Sequence, residues 1–104
     1  MTMTYHYEVE RKDRRELIEN EIGFGQIIKK VYRNHSWNCI TDTGIMIILD
    51  DDETTIVTAY CPRVQELKYF YGDPNKAPKE LRKKVYQHES KYLVAGKMKG
   101  AGRR

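Results

Sequence analysis

The sequence predicts a single α+β domain in which an antiparallel sheet packs against helices. A chain of 104 residues has the size of one domain with one modest core. Its composition, 39% hydrophobic and 33% charged, is typical of a soluble globular protein and argues against a disordered chain. Strand-like and helix-like patterns are segregated along most of the chain. Their order, β-α-α-β-β-β-α-α, is typical of the α+β class.

The first part of the chain predicts one strand and two helices. Apolar and polar side chains alternate through residues 2–10, which is the period of a half-buried strand. Asp13 and Glu16 have the spacing of a capping box and predict that a helix begins there. After the interruption "GFG" at 23–25, the apolar residues of 27–32 predict the buried side of a second, short helix.

The second part predicts three strands followed by two helices. The apolar runs lie at 37–42, 45–50 and 54–61. The segments between them, "DTG" and "DDDE", are short and rich in turn-forming residues, which predicts an antiparallel meander. Pro62 and Pro78 each predict a helix start, because proline fits the first helical position. The domain is predicted to span 1–96, and 97–104 to form a basic, flexible tail.

Charge and hydropathy indicate which cellular compartment and which binding partners to expect. Of the 19 Lys and Arg residues, four lie in the tail, and the other 15 are balanced by the 15 Asp and Glu residues. The domain itself is therefore not a uniformly basic nucleic-acid binder. No apolar run reaches the ~20 residues that a membrane helix needs, and the N-terminus does not resemble a signal peptide. We therefore expect a cytoplasmic protein without a membrane partner.

The sequence contains residue types that can ligate a metal, but their spacing is not that of a metal site. The four acids of 50–53 are adjacent, whereas a calcium loop spaces its ligands and needs a glycine, so the segment predicts a hairpin turn. Cys39 and Cys61 lie on the first and third strands of the meander, about 10 Å apart, which predicts free, buried thiols. His6 and His88 are distant in sequence. We expect neither a metal nor a cofactor.

The strand at 54–61 carries the best candidates for chemistry. Thr58 and Tyr60 share one face of it, with their hydroxyls about 7 Å apart, and Arg63 follows. Two hydroxyl donors and a guanidinium could converge on a phosphate. The alternative is structural, since Thr and Tyr form strands readily and Tyr often buries its ring. Spacing alone favours the structural interpretation.

Two segments resemble a known superfamily. "HYEVERKDRRELIENEI" and "ITDTGIMIILDDDETTIVTAY", within about residues 5–61, are similar to small bacterial and phage domains of the nuclease-toxin superfamily that groups barnase, EndoU, colicin and RelE-type proteins. The resemblance implies a metal-independent endoribonuclease that acts on RNA. It implies that His6 is the general acid or base and that Thr58 and Tyr60 orient or protonate the phosphate. Arg63, or one of Arg11, Arg14 and Arg15, would stabilise the transition state.

Two other functions remain open from the sequence. The chain could be an inactive, phage- or mobile-element-encoded module that binds nucleic acid, an inhibitor or a host protein. Alternatively, it could be an assembly protein that dimerises through an edge strand or its last helices. The predicted nucleic-acid-binding residues are Arg11, Arg14, Arg15, Lys97, Lys99, Arg103 and Arg104. The aromatic run "KYFYGD" at 68–73 fits a core, an interface or a base-stacking platform, and its composition favours the core.

Overall fold

The computed structural model describes residues 2–94, and it confirms an α+β fold in which helices pack on a five-stranded mixed sheet. The strands are β1 Thr2–Met3, β2 Ile27–Arg33, β3 Ser36–Thr41, β4 Met46–Leu49 and β5 Thr55–Tyr60. The α-helices are α1 Lys12–Leu17, α2 Lys68–Tyr71 and α3 Lys79–His88. Wider π-type turns lie at His6–Glu10, Ile18–Ile22 and Glu89–Val94, and 3₁₀ turns at Val64–Leu67 and Pro74–Lys76.

The sheet has the order β1-β5-β4-β3-β2, in which the short β1 runs parallel to β5 and all other pairs are antiparallel. The predicted meander is therefore confirmed as β3-β4-β5. Gly72, with φ 80°, ends α2, and Pro78 directly precedes α3, as the sequence predicts. None of the helices in residues 2–94 is long and apolar enough to cross a lipid bilayer.

One predicted helix is wrong, because residues 27–32 lie in β2. Ile27 and Ile28 are 37% and 47% exposed at the edge of the sheet, so they do not form the buried side of a helix. Asn34 and His35, with φ of 54° and 61°, make the two-residue turn that returns the chain onto β3. Both residues have the positive φ of a type I′ turn, which fixes the hairpin register of β2.

The strand predicted for residues 2–10 is also shorter than expected. It ends at Met3, and His6–Glu10 is helical. The Thr4 hydroxyl donates to the carbonyl of Val57 at 2.9 Å, and it accepts from the backbone N–H of Tyr7 at 3.4 Å. These bonds turn the chain away from the sheet and bury the ring of Tyr7 completely.

The two faces of the sheet are covered differently. Pairing of the central strands puts Asn38, Ile40, Met46, Ile48, Thr58 and Tyr60 on one face, which we call the helical face. α1 and α2 contact this face. On the other face, the acidic segment 50–53 forms the predicted turn, and its Asp51 accepts a 2.6 Å hydrogen bond from the hydroxyl of Tyr32. Glu53 of the same turn pairs with Lys30.

The core runs through the centre of this sheet. Every residue of 45–49 is at most 6% exposed, as predicted for a central strand covered on both sides. Cys39 and Cys61 are buried thiols that are not joined in a disulfide, as predicted. Burial raises the pKa of the Cys39 thiol to about 11 and that of Cys61 to about 12, so both are protonated at neutral pH.

Candidate functional site

Thr58 and Tyr60 face inward, as part of a buried cluster with Arg14. The three side chains are 2%, 4% and 6% exposed, respectively. An Nη1 of Arg14 donates to the Thr58 hydroxyl at 3.3 Å and to the carbonyl of Ala59 at 3.5 Å. Arg14 is one of the arginines predicted to act together with the hydroxyls of β5, and it is hydrogen-bonded to this strand. Burial, and secondarily the charge of Arg11, lowers the pKa of Arg14. The cluster fastens α1 to β5.

His6 and Arg63 are more exposed than the residues of that cluster. The His6 side chain is 39% exposed, and its Nδ1 is 3.9 Å from a carboxylate oxygen of Glu10. Arg63 is exposed in the turn after β5. Among residues 2–94, neither side chain is hydrogen-bonded to Thr58. Of the four predicted catalytic residues, Thr58 and Tyr60 are therefore buried, whereas His6 and Arg63 are accessible.

Arg11 and Arg15, the other predicted nucleic-acid contacts within residues 2–94, do not form an open surface either. Arg15 lies 3.3 Å from the Glu19 carboxylate and also donates to the carbonyl of Glu8. Arg11 is half-buried beside it. Lys97, Lys99, Arg103 and Arg104 lie outside the described residues.

A different group of cations and aromatic rings lies between β2 and α2. The alternation of β2 puts Lys29 and Arg33 on the helical face. There the Arg33 guanidinium carbon is 3.6 Å from the ring centroid of Tyr69, and the Lys29 ammonium is 4.5 Å from that of Tyr71. The Lys68 ammonium lies 5.5 Å from Tyr69. We call these five residues the basic-aromatic surface.

The cations of the basic-aromatic surface lack a close carboxylate partner within residues 2–94, and the nearby Glu66 lines a cavity together with Arg33. Within residues 2–94, no carboxylate lies within 4 Å of the charged groups of Lys29, Arg33 or Lys68. Lys30, on the opposite side of the same strand, is neutralised by Glu53. Tyr69 is 39% exposed, which leaves part of its ring accessible to a ligand.

This surface was missed in the sequence because its two halves come from different elements. The aromatic run at 68–73 was identified, and it is divided by the structure: Phe70 is 5% exposed and belongs to the core, while Tyr69 is on the surface. Lys29 and Arg33 could not be assigned to this surface, because 27–32 was predicted to be a helix. Ile27, Ile28 and Val31 are β-branched, and that signal could have indicated a strand.

A cavity of about 120 Å³ adjoins the basic-aromatic surface, at the β2–β3 turn. Its lining consists of Arg33, Asn34, Asn38, Tyr60, Glu66 and Tyr69, over the buried Met46. Glu66 accepts the backbone N–H of Arg63 through its Oε2 at 2.7 Å. Burial raises the pKa of the Glu66 carboxyl. The cavity thus combines a cation, a carboxylate and aromatic rings.

A second cavity of about 220 Å³ lies between the Ile18–Ile22 turn and α3. His88 lines it, with its Nε2 2.8 Å from the carbonyl oxygen of Thr43, and burial lowers the pKa of this histidine. The contact joins α3 to the β3–β4 turn. Within residues 2–94, no three His, Cys, Asp or Glu side chains are grouped as they would be to hold a metal ion.

Comparison with known proteins adds no relative. No family model, no curated protein and no solved structure matches the chain. The geometry and chemistry of the basic-aromatic surface are therefore the basis for a functional proposal.

Proposed function

We propose that this protein is a binding module for single-stranded nucleic acid and that it binds through the basic-aromatic surface. The observation that carries the proposal is the set of three cations without carboxylate partners, each lying against a tyrosine ring of α2. Proteins that bind single strands combine positive charge along the phosphate backbone with rings on which the bases stack. Lys29, Arg33 and Lys68 supply the first property, and Tyr69 and Tyr71 supply the second.

The burial of Thr58 and Tyr60 favours binding of nucleic acid over its cleavage. A general acid or base must come within hydrogen-bond reach of the reacting phosphate. Thr58 and Tyr60 are almost inaccessible, and the exposed His6 is next to Glu10. It stays a prediction that the protein cleaves RNA with His6, Thr58, Tyr60 and Arg63. The integrity of the RNA after incubation with the protein tests this prediction. Cleavage by the wild type that Tyr60→Phe and His6→Ala abolish would support a ribonuclease.

The ring of Tyr69 is the sharpest test of the binding proposal. Fluorescence anisotropy with a labelled 12-nucleotide single-stranded RNA of mixed sequence measures the dissociation constant. Tyr69→Ala removes a stacking ring worth about 1–3 kcal/mol per base, so the affinity should fall about fivefold or more. Tyr69→Phe keeps the ring and should bind like the wild type.

Tyr86→Ala is the matched control, because Tyr86 is 64% exposed on α3 and lies outside the basic-aromatic surface. It should leave the affinity unchanged. Equal losses for Tyr69→Ala and Tyr86→Ala, or no loss for either, would contradict the proposal. A DNA strand of the same sequence shows whether the 2′-hydroxyl contributes.

A further inference from the structure

The cavity beside the basic-aromatic surface is suited to one flat ring. Arg33 and Tyr69 belong to both, so a strand bound along the surface passes the mouth of the cavity. Its volume of about 120 Å³ is near the ~150 Å³ that holds a single benzene in an engineered cavity. It is well below the ~300 Å³ at which pockets for larger ligands begin.

Glu66 determines which groups the cavity can accept. A carboxylate accepts hydrogen bonds and donates none. Its Oε2 is engaged by the backbone N–H of Arg63, and within residues 2–94 no group donates to its Oε1. Because Glu66 and Arg33 both line the cavity, the lining has no net positive charge to attract phosphate, so a phosphate group is a poor occupant. A ligand edge that presents N–H donors fits better.

Arg33 supplies the stacking plane. Its guanidinium lies flat enough on Tyr69 to bring the central carbon within 3.6 Å of the ring centroid. Unpaired bases stack on such guanidinium planes as well as on aromatic rings. A base inserted there can direct its hydrogen-bonding edge toward Glu66, which lines the same cavity.

We infer that the cavity binds one unpaired base that carries an exocyclic amino group, and discriminates against uracil. This inference rests on the proposed function. Adenine, cytosine and guanine each present an amino group that donates to a carboxylate, whereas the corresponding oxygen of uracil is an acceptor. At the position of the cytosine amino group, uracil would place a carbonyl oxygen against the Glu66 carboxylate, and its N3–H donor lies between two such oxygens.

Oligocytidine and oligouridine of 12 nucleotides are the probes, because the two pyrimidines have similar rings and differ at the amino position. The full-length protein should bind oligocytidine about tenfold more tightly than oligouridine, the size of one base-specific pair. Glu66→Gln keeps an oxygen that accepts the Arg63 N–H, but it replaces the other oxygen with a donor. The preference for cytosine should then disappear or reverse.

Two controls make the result decisive. Glu80→Gln removes an exposed carboxylate outside the cavity and should keep the preference. Oligocytidine with dimethylated amino groups donates no hydrogen bond at that position and should bind the wild type about tenfold more weakly. This second probe tests the inference even if Glu66→Gln does not fold.

The outcomes separate the inference from the proposed function. Equal affinity for both pyrimidine strands, with loss of binding in Tyr69→Ala, would overturn the cavity inference and leave the binding module intact. A preference that survives in folded Glu66→Gln, or with the dimethylated probe, would also overturn it. No binding of any strand would overturn both.

Discussion

At the scale of single residues, Arg14 is the side chain whose burial most needs a physical reason. It is 6% exposed between α1 and β5, where a charged group is stable only if its donors are used. Its guanidinium donates to the Thr58 hydroxyl and to the carbonyl of Ala59. These contacts assign Arg14 to the attachment of the first helix to the sheet.

Arg14→Met should therefore lower the free energy of unfolding by about 2 kcal/mol, because it leaves two buried acceptors without their donor. Urea unfolding followed by circular dichroism measures the change. Lys12→Met is the matched control on the same helix: Lys12 is 63% exposed and pairs with Glu16, so its loss should cost less than ~1 kcal/mol. Similar small losses for both variants would show that the Arg14 contacts do not stabilise the fold.

At the scale of elements, the β2–β3 hairpin positions half of the basic-aromatic surface. Its register sets Lys29 and Arg33 on the helical face and Lys30 on the other. The register depends on the turn at Asn34 and His35, both in the left-handed region. His35 is the less suitable of the two, because glycine is the preferred second residue of a type I′ turn.

His35→Gly should raise the free energy of unfolding by about 0.5–1 kcal/mol, since it relieves a left-handed conformation of a residue that has a Cβ. The melting temperature measured by calorimetry should rise. His35→Ala retains the Cβ and should give no such gain. A lower melting temperature for His35→Gly would mean that the turn does not have this conformation.

The same hairpin shows why part of the fold was predictable and part was not. The β3–β4 and β4–β5 turns were found because "DTG" and "DDDE" are local turn signals between apolar runs. In 27–32 the apolar spacing fits a helix and a strand equally well. Pairing with β3 decides that this segment is a strand. Such pairing joins two separate segments of the chain, so the local pattern within one of them does not reveal it. Lys29 and Arg33 could not be assigned to a surface until that pairing was known.

At the scale of the whole molecule, the charges are distributed unevenly around β2. Lys30 and Tyr32 are engaged by the acidic turn on one face, whereas on the other, among residues 2–94, no carboxylate lies within 4 Å of the charged groups of the basic-aromatic surface. A net charge of +4 is modest, so the placement of charge matters more than its sum. In the proposed function, this placement would direct a bound strand to the side that carries Tyr69 and Tyr71.

The dependence of affinity on salt should report this placement. Binding to a single strand weakens with salt with a slope of about 0.7 per phosphate contacted. Replacing Lys29, Arg33 and Lys68 together by Gln should therefore reduce the slope by about 2. A second triple variant, in which Gln replaces the exposed Lys12, Lys79 and Lys83, should keep it. Equal slopes in the two variants would place the phosphate contacts elsewhere on the chain.

The location of the bound strand is the most direct test of the account. Backbone amide chemical shifts in ¹H–¹⁵N spectra, recorded as single-stranded RNA is added, map the contact residue by residue. If the strand binds to the basic-aromatic surface, the largest changes should cluster at 29–34, on β2 and its turn, and at 66–71, on the end of the 3₁₀ turn and on α2. Changes concentrated instead at 6–15 and 58–63, around His6 and Arg63, would contradict it and favour the site that the resemblance implies.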